Sequence, residues 1–78
     1  KGEICVKLSD LKENEAAVIS ALGDVPSGRI RLRDLGFCEG ETVACLFVGA
    51  FREISVYEVK DTAVALRKGD AERIEVAL

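Results

Sequence analysis

The stretch from Ser27 to Val43 constrains this chain most, because signals for a helix stop and a reversal fall within a few residues of each other. Ser27 is placed to cap a short helix by accepting a hydrogen bond from a free first-turn amide. Leu32 and Leu35 lie three apart and share one helix face. Gly36 is free to take the left-handed conformation that ends a helix. Phe37, one residue past it, can fold back on Leu32. Gly40 is the next residue without a side-chain penalty at positive φ, so a second turn is expected around Glu39 and Gly40. That turn delivers the chain into an apolar run beginning at Thr42.

Outside this stretch the chain reads as short strands. Ile4 and Val6 alternate with polar positions and suggest an opening strand. Ser9 is expected to cap one helical turn through Leu11 and Lys12. Glu15 to Ala21 is apolar and β-branched, with Val18 and Ile19 at its centre. Leu22 to Pro26 contains Gly23, Asp24 and Pro26 and reads as a loop. Thr42 to Val48 is a long apolar strand, followed by a connection at Gly49 to Glu53.

In the strand from Ile54 to Val59, Ile54, Val56 and Glu58 take one side and Ser55, Tyr57 and Val59 the other. Lys60 and Asp61 make a two-residue reversal, a weak pair beside Asn-Gly. Thr62 to Arg67 returns as a strand, with Ala63, Ala65 and Arg67 opposite Val64 and Leu66. Lys68 to Arg73 suggests one helical turn, and Ile74 and Val76 close the chain as a last strand. Many short strands with closely spaced turns predict an all-β barrel or roll. About five strands suffice to close a small barrel. The single helix, between the first two long strands, is expected to plug one open end with Leu32 and Leu35.

At 78 residues the chain fits one small domain, 1–78, with no internal repeat or linker. A domain of this size buries roughly 60% of its unfolded surface, so its core is small. The longest uncharged run, Thr42 to Phe51, is too short to span a bilayer, and no direct membrane insertion is expected. No basic segment leads into an apolar one, so no signal peptide is expected. The first residue is not methionine and is not expected to be a native start. A net charge of −3 opposes a module that grips phosphate backbones, so no nucleic-acid partner is expected. Three cysteines without a C-x-x-C pair argue against a disulfide framework or a zinc site and suit a reducing cytoplasm.

Chemistry is sparse. There is no histidine, so no Ser-His or Cys-His pair can form, and no phosphate-binding loop is present. No catalytic residue, metal ligand or cofactor is assigned, and the chain is not expected to be an enzyme. The scattered carboxylates read as a solvated surface. Glu39 and Glu41, flanking Gly40, could touch a hard cation, which needs more ligands than the sequence offers. Arg29, Arg31 and Arg33 form the one basic cluster, with Arg29 and Arg33 on one face. It is either an exposed helix face or a contact patch for an acidic partner. Cys45 reads as a small core residue and Cys38 as a turn residue. Phe51 lies in a connection, where a phenyl ring is costly to expose. It either folds over a barrel end or offers an apolar contact to a partner, as Phe47 does from the strand before it.

Several segments carry a family likeness. Arg31-Leu32-Arg33-Asp34-Leu35-Gly36-Phe37, followed by Gly40 and Val43, resembles the signature of the ferrous iron transport protein A (FeoA) family. So does Ile54-Ser55-Val56-Tyr57-Glu58-Val59, followed by Thr62-Ala63-Val64-Ala65-Leu66-Arg67-Lys68. The opening Leu8-Ser9-Asp10-Leu11 and the closing Asp70-Ala71-Glu72-Arg73-Ile74-Glu75-Val76 also look like that family's ends. The resemblance implies a Src-homology-3-like small barrel. It also implies a cytosolic accessory role beside the membrane ferrous iron transporter FeoB, whose cytoplasmic part is a GTP-hydrolysing domain. Two departures stand out. Glu39 occupies a position where the family often has proline, which gives up rigidity in the turn. The Gly49 to Glu53 connection is more compact than the family's usual one.

The expected function is therefore docking in support of ferrous iron uptake, with Phe51 and Phe47 as apolar anchors and Arg31, Arg33 and Arg52 at the rim. Two rival readings remain. One is the C-terminal regulatory module of an iron-dependent repressor, a fold-sharing relative. The other is a ribosomal-type nucleic-acid-binding barrel, which the acidic balance opposes.

Overall fold

A computed structural model describes residues 4–23 and 31–78. Six strands are present: β1 (Cys5–Lys7), β2 (Ala16–Leu22), β3 (Thr42–Val48), β4 (Ile54–Val59), β5 (Thr62–Arg67) and β6 (Ile74–Ala77). One short helix, α1 (Lys68–Ala71), precedes β6. The strands form a single sheet in the order β1-β6-β2-β3-β4-β5, every pair antiparallel. The limits of β3, β4 and β5 are those read from the sequence.

The expected helix at Leu32 is one 3-10 turn, Leu32–Leu35. Its proposed cap, Ser27, and the face shared by Arg29 lie outside the described residues. The stop is as the sequence dictates. Gly36 takes φ 104°, its amide donates to the Arg33 carbonyl at 3.1 Å, and the Phe37 amide donates to the Leu32 carbonyl at 3.0 Å. The two bonds satisfy carbonyls left over at the helix end. Phe37 and Leu32 are buried and Leu35 is half-buried against the core, so the turn does stopper one end of the sheet. Gly36 sits against Val59 and Lys60 at the β4–β5 hairpin.

A correction falls on the first helical turn. It spans Leu8–Asp10 and has no side-chain cap, and Ser9 lies within it. The driving force is apolar. Leu8 and Leu11 are both buried, and the Leu11 amide donates to the Leu8 carbonyl at 3.1 Å, so the turn closes between the two leucines.

The core lies on the inner face, formed by Ile19, Val43, Cys45, Tyr57, Val59, Leu66, Ile74 and Val76 with Leu8, Leu11 and Phe37 over it. The split of β4 is the expected one, with Ser55, Tyr57 and Val59 inward. The Lys60-Asp61 reversal forms with φ of 51° and 64°, the doubly positive pattern of a type I′ turn. Asp61 tolerates it and Lys60 does not favour it. The six paired positions of β4 and β5 enforce it. Two register shifts, at Ile19/Ala21 in β2 and at Cys45/Phe47 in β3, bend the sheet around its core.

Tyr57 is buried, and its hydroxyl reaches the Leu8 carbonyl at 3.5 Å, tying β4 to the first turn. Burial pushes the Tyr57 phenol above its ordinary value of 10.0, and burial likewise raises the Cys45 thiol above 9.0. Both groups hold their proton more firmly folded than unfolded. Their contribution is complete below the unfolded values and is lost as pH rises through the raised folded values. The urea midpoint is expected to fall as pH rises past 9.0 and 10.0, the ordinary values of the thiol and the phenol. The fall should be shallower in Tyr57→Phe, and an unchanged slope in that variant would refute the assignment.

Candidate docking site

The exposed aromatic residues owe their position to one local irregularity. Along β3, Val43 and Cys45 point inward, and unbroken alternation would send Phe47 inward as well. Instead Cys45 pairs with Tyr57 and Phe47 pairs with Val56, leaving Leu46 as the extra residue. The bulge turns Phe47 to the outer face, where it is 55% exposed. Beside the bulge, the Val48 amide donates to the Glu13 carboxylate at 2.9 Å. Phe47, Val56 and Ala65 stand in one row across β3, β4 and β5, with Ile54 diagonally adjacent and 48% exposed. The sequence had separated the two faces of β4 but not identified this row. Glu58, which shares the face of Ile54 and Val56, is the signal that marks it as outward.

After β3 the chain turns through Gly49–Glu53. The Gly49 amide donates to the Ile54 carbonyl at 2.8 Å, the Arg52 amide to Gly49 at 3.0 Å and the Glu53 amide to Ala50 at 3.2 Å. The Lys68 amide then donates to the Glu53 carbonyl at 2.9 Å, fastening the loop to the start of α1. At the tip Phe51 takes φ 56° and ψ 18°, and Arg52 follows at φ 58°. Left-handed backbone costs a bulky residue about 1–2 kcal/mol, and this one is held by the bonds on either side. Its ring is 92% exposed, so it does not fold over the barrel end.

The arginines divide. Arg33 pairs with Glu39 at 3.1 Å, both largely exposed. The Arg52 guanidinium donates to the Ser9 carbonyl at 3.2 Å, bracing the loop against the first turn. Arg31 is exposed ahead of its 3-10 turn. Phe47 lies near the C-terminal end of β3 and Phe51 and Arg52 follow it in the next connection, whereas Arg31 and Arg33 precede its N-terminal end. Glu39 is taken up by Arg33, and Glu41 lies 3.8 Å from Lys60, so both carboxylates beside Gly40 already face a cation. Among the described residues no three of His, Cys, Asp and Glu converge as metal ligands. No helix among them is long and apolar enough to cross a membrane.

Residues 6–78 match the FeoA domain family. The chain belongs to that family. It is 33% identical over 73 residues to the Fe(2+) transport protein A/Fe(2+) transporter FeoB fusion protein of Porphyromonas gingivalis, covering 94% of this chain and 9% of that protein. Stenotrophomonas maltophilia FeoA, solved in complex with zinc, is a prokaryotic SH3 domain protein offered as a candidate activating factor of ferrous iron transport. It superposes with a TM-score of 0.78 at 33% identity, over 91% of this chain and 88% of that one. The Src-homology-3-like architecture inferred from the FeoA resemblance is thus the observed one. A manganese-dependent transcriptional repressor shares the fold, with a TM-score of 0.81 at 14% identity over 97% of this chain and 42% of its own.

Gly49 is the point on which the loop closes. A Cβ built there would lie 2.4 Å from the Ile54 carbonyl oxygen, a backbone atom with no freedom to move aside. Gly49→Ala is expected to cost about 1–3 kcal/mol in chemical denaturation. It should also loosen the amides of Arg52 and Glu53 in hydrogen exchange.

Proposed function

We propose that this chain is a docking module of ferrous iron uptake that binds the transporter FeoB at its cytoplasmic GTP-hydrolysing part. The observation that carries this reading is Phe51, an aromatic ring 92% exposed on a loop closed at both ends by backbone hydrogen bonds. A solvent-facing ring on a strained, fastened loop lowers stability and is preorganised for contact, so little ordering cost remains when it enters a pocket. Phe47 and Ile54 extend the apolar surface and Val56 and Ala65 continue it, whereas Arg31, expected at the rim, lies toward the other end of β3 and is left out of this surface. Arg33 and Arg52 act mainly within the fold, through Glu39 and Ser9. The fusion of both transport functions in the Porphyromonas gingivalis relative supports a partnership between such a domain and FeoB.

Regulation follows from state preference, since a binder with equal affinity for two partner states shifts neither. The module acts at the cytoplasmic face of the membrane through its partner. The repressor-module reading has only the shared fold behind it.

Titration against the isolated cytoplasmic domain of FeoB, loaded with GDP or a GTP analogue, tests the reading. Binding is expected to differ between the two nucleotides. Phe51→Ala should weaken it about tenfold or more, as for a buried aromatic anchor. Phe51→Gly should abolish the contact while leaving stability unchanged or raised by up to about 1 kcal/mol, because glycine accepts the left-handed backbone. Absence of binding in both nucleotide states, or full affinity in both variants, would sink the proposal.

A further inference from the structure

We propose that β5 is a self-pairing edge, and that two copies of this chain join through it into one continuous antiparallel sheet. The evidence begins with backbone bookkeeping. β5 pairs with β4 on one side, and among the described residues nothing pairs with it on the other. In a two-residue hairpin the closing residues, here Val59 and Thr62, exchange both hydrogen bonds, and such pairs alternate along the ladder. Thr62, Val64 and Leu66 therefore bond inward to β4. The N–H and C=O groups of Ala63, Ala65 and Arg67 face outward.

The devices that usually blunt an edge are missing from β5. It contains no proline, its register with β4 is unbroken across six pairs, and its only charged residue is the terminal Arg67. The other edge, β1, is only three residues long. On the outer face of β5, Ala63 and Ala65 are small enough to let a second backbone approach.

What favours a second copy over an unrelated strand is the strand's own symmetry. An antiparallel two-fold centred on Val64 sets Ala63 against Ala65 of the second copy as hydrogen-bonded pairs. It also sets Asp61 against Arg67 twice, once at each end of the pairing. On the inner face Val64, only half-buried at present, meets its twin and extends the apolar layer. Lys60, next in line, is turned toward Glu41 at 3.8 Å and away from the opposing Lys68. Each outer row of Phe47, Val56 and Ala65 then ends against Ala63 of the second copy, and the dimer presents two docking faces on one side of the joined sheet. A junction of one short strand pair is small, and the association depends on concentration.

Sedimentation velocity of the chain from 10 μM to 1 mM should show a shift from 8.4 kDa toward twice that mass. Over the same range, amide exchange should slow at Ala63 and Ala65 and stay constant at Val64 and Leu66. Arg67→Asp, which opposes two aspartates at each end, should weaken the dimer roughly tenfold. The swap Asp61→Lys with Arg67→Asp should restore it. Ala65→Pro removes an outward amide and should leave a monomer. Because proline in a strand can impair folding, the charge pair carries the test independently. A wild-type mass fixed at 8.4 kDa throughout overturns the proposal, as does a dimer that ignores Arg67→Asp or protects other amides.

Discussion

The burial of Phe37 beneath the corner at Gly36 is the contact on which the remaining structure depends. A six-stranded antiparallel sheet in so short a chain has one apolar face and two open ends, and it is stable only if short connecting segments cover what the strands cannot. The corner does this at the hairpin end, because the Schellman-type bonds from Gly36 and Phe37 fix the angle at which the ring drops into the core. Burying a phenylalanine side chain contributes roughly 1.5–3 kcal/mol, a large share of the margin of a small domain. At the other end, the turn between Leu8 and Leu11 does the same work, with the Tyr57 hydroxyl reaching its first carbonyl.

With the ends closed, the outer face is free to carry features that would otherwise weaken a sheet. The bulge at Leu46 turns Phe47 out and bends β3 in one step, so the curvature that wraps the core also generates the exposed row. Glu13, 35 residues from Val48 in sequence, takes the Val48 amide beside the bulge. Phe51 follows the same logic. Its left-handed backbone is tolerated because Gly49, Glu53 and Lys68 hold the loop from three sides. Local strain here buys geometry: a ring fixed in water, where a relaxed loop would have laid it on the surface.

Much of this was legible in the residues, and the limits of legibility have physical causes. Glycine placement revealed the corner at Gly36 and the turn at Gly40 because positive φ leaves a chemical mark. The strands from Thr42 to Arg67 were readable because apolar runs broken by turns have few other uses. The bulge left no mark, since Cys45, Leu46 and Phe47 are all apolar and a register shift is set by the partner strand. Ser9 misled for a similar reason: its capping chemistry is genuine, but two buried leucines outweighed it. At the candidate site, Phe51 was visible as an aromatic residue in a connection. The engagement of Arg33 by Glu39 and of Arg52 by Ser9 was not, because each joins residues brought together only by the fold.

These engagements bear on how such a module can act. With Arg33 and Arg52 engaged within the fold and a net charge of only −3, long-range attraction has little to work with, so the proposed docking rests on shape and apolar contact. The corner, the first turn and the loop are each closed by short backbone bonds against the sheet. On the docking reading proposed above, regulation comes from this domain preferring one of the partner's states and holding it in place.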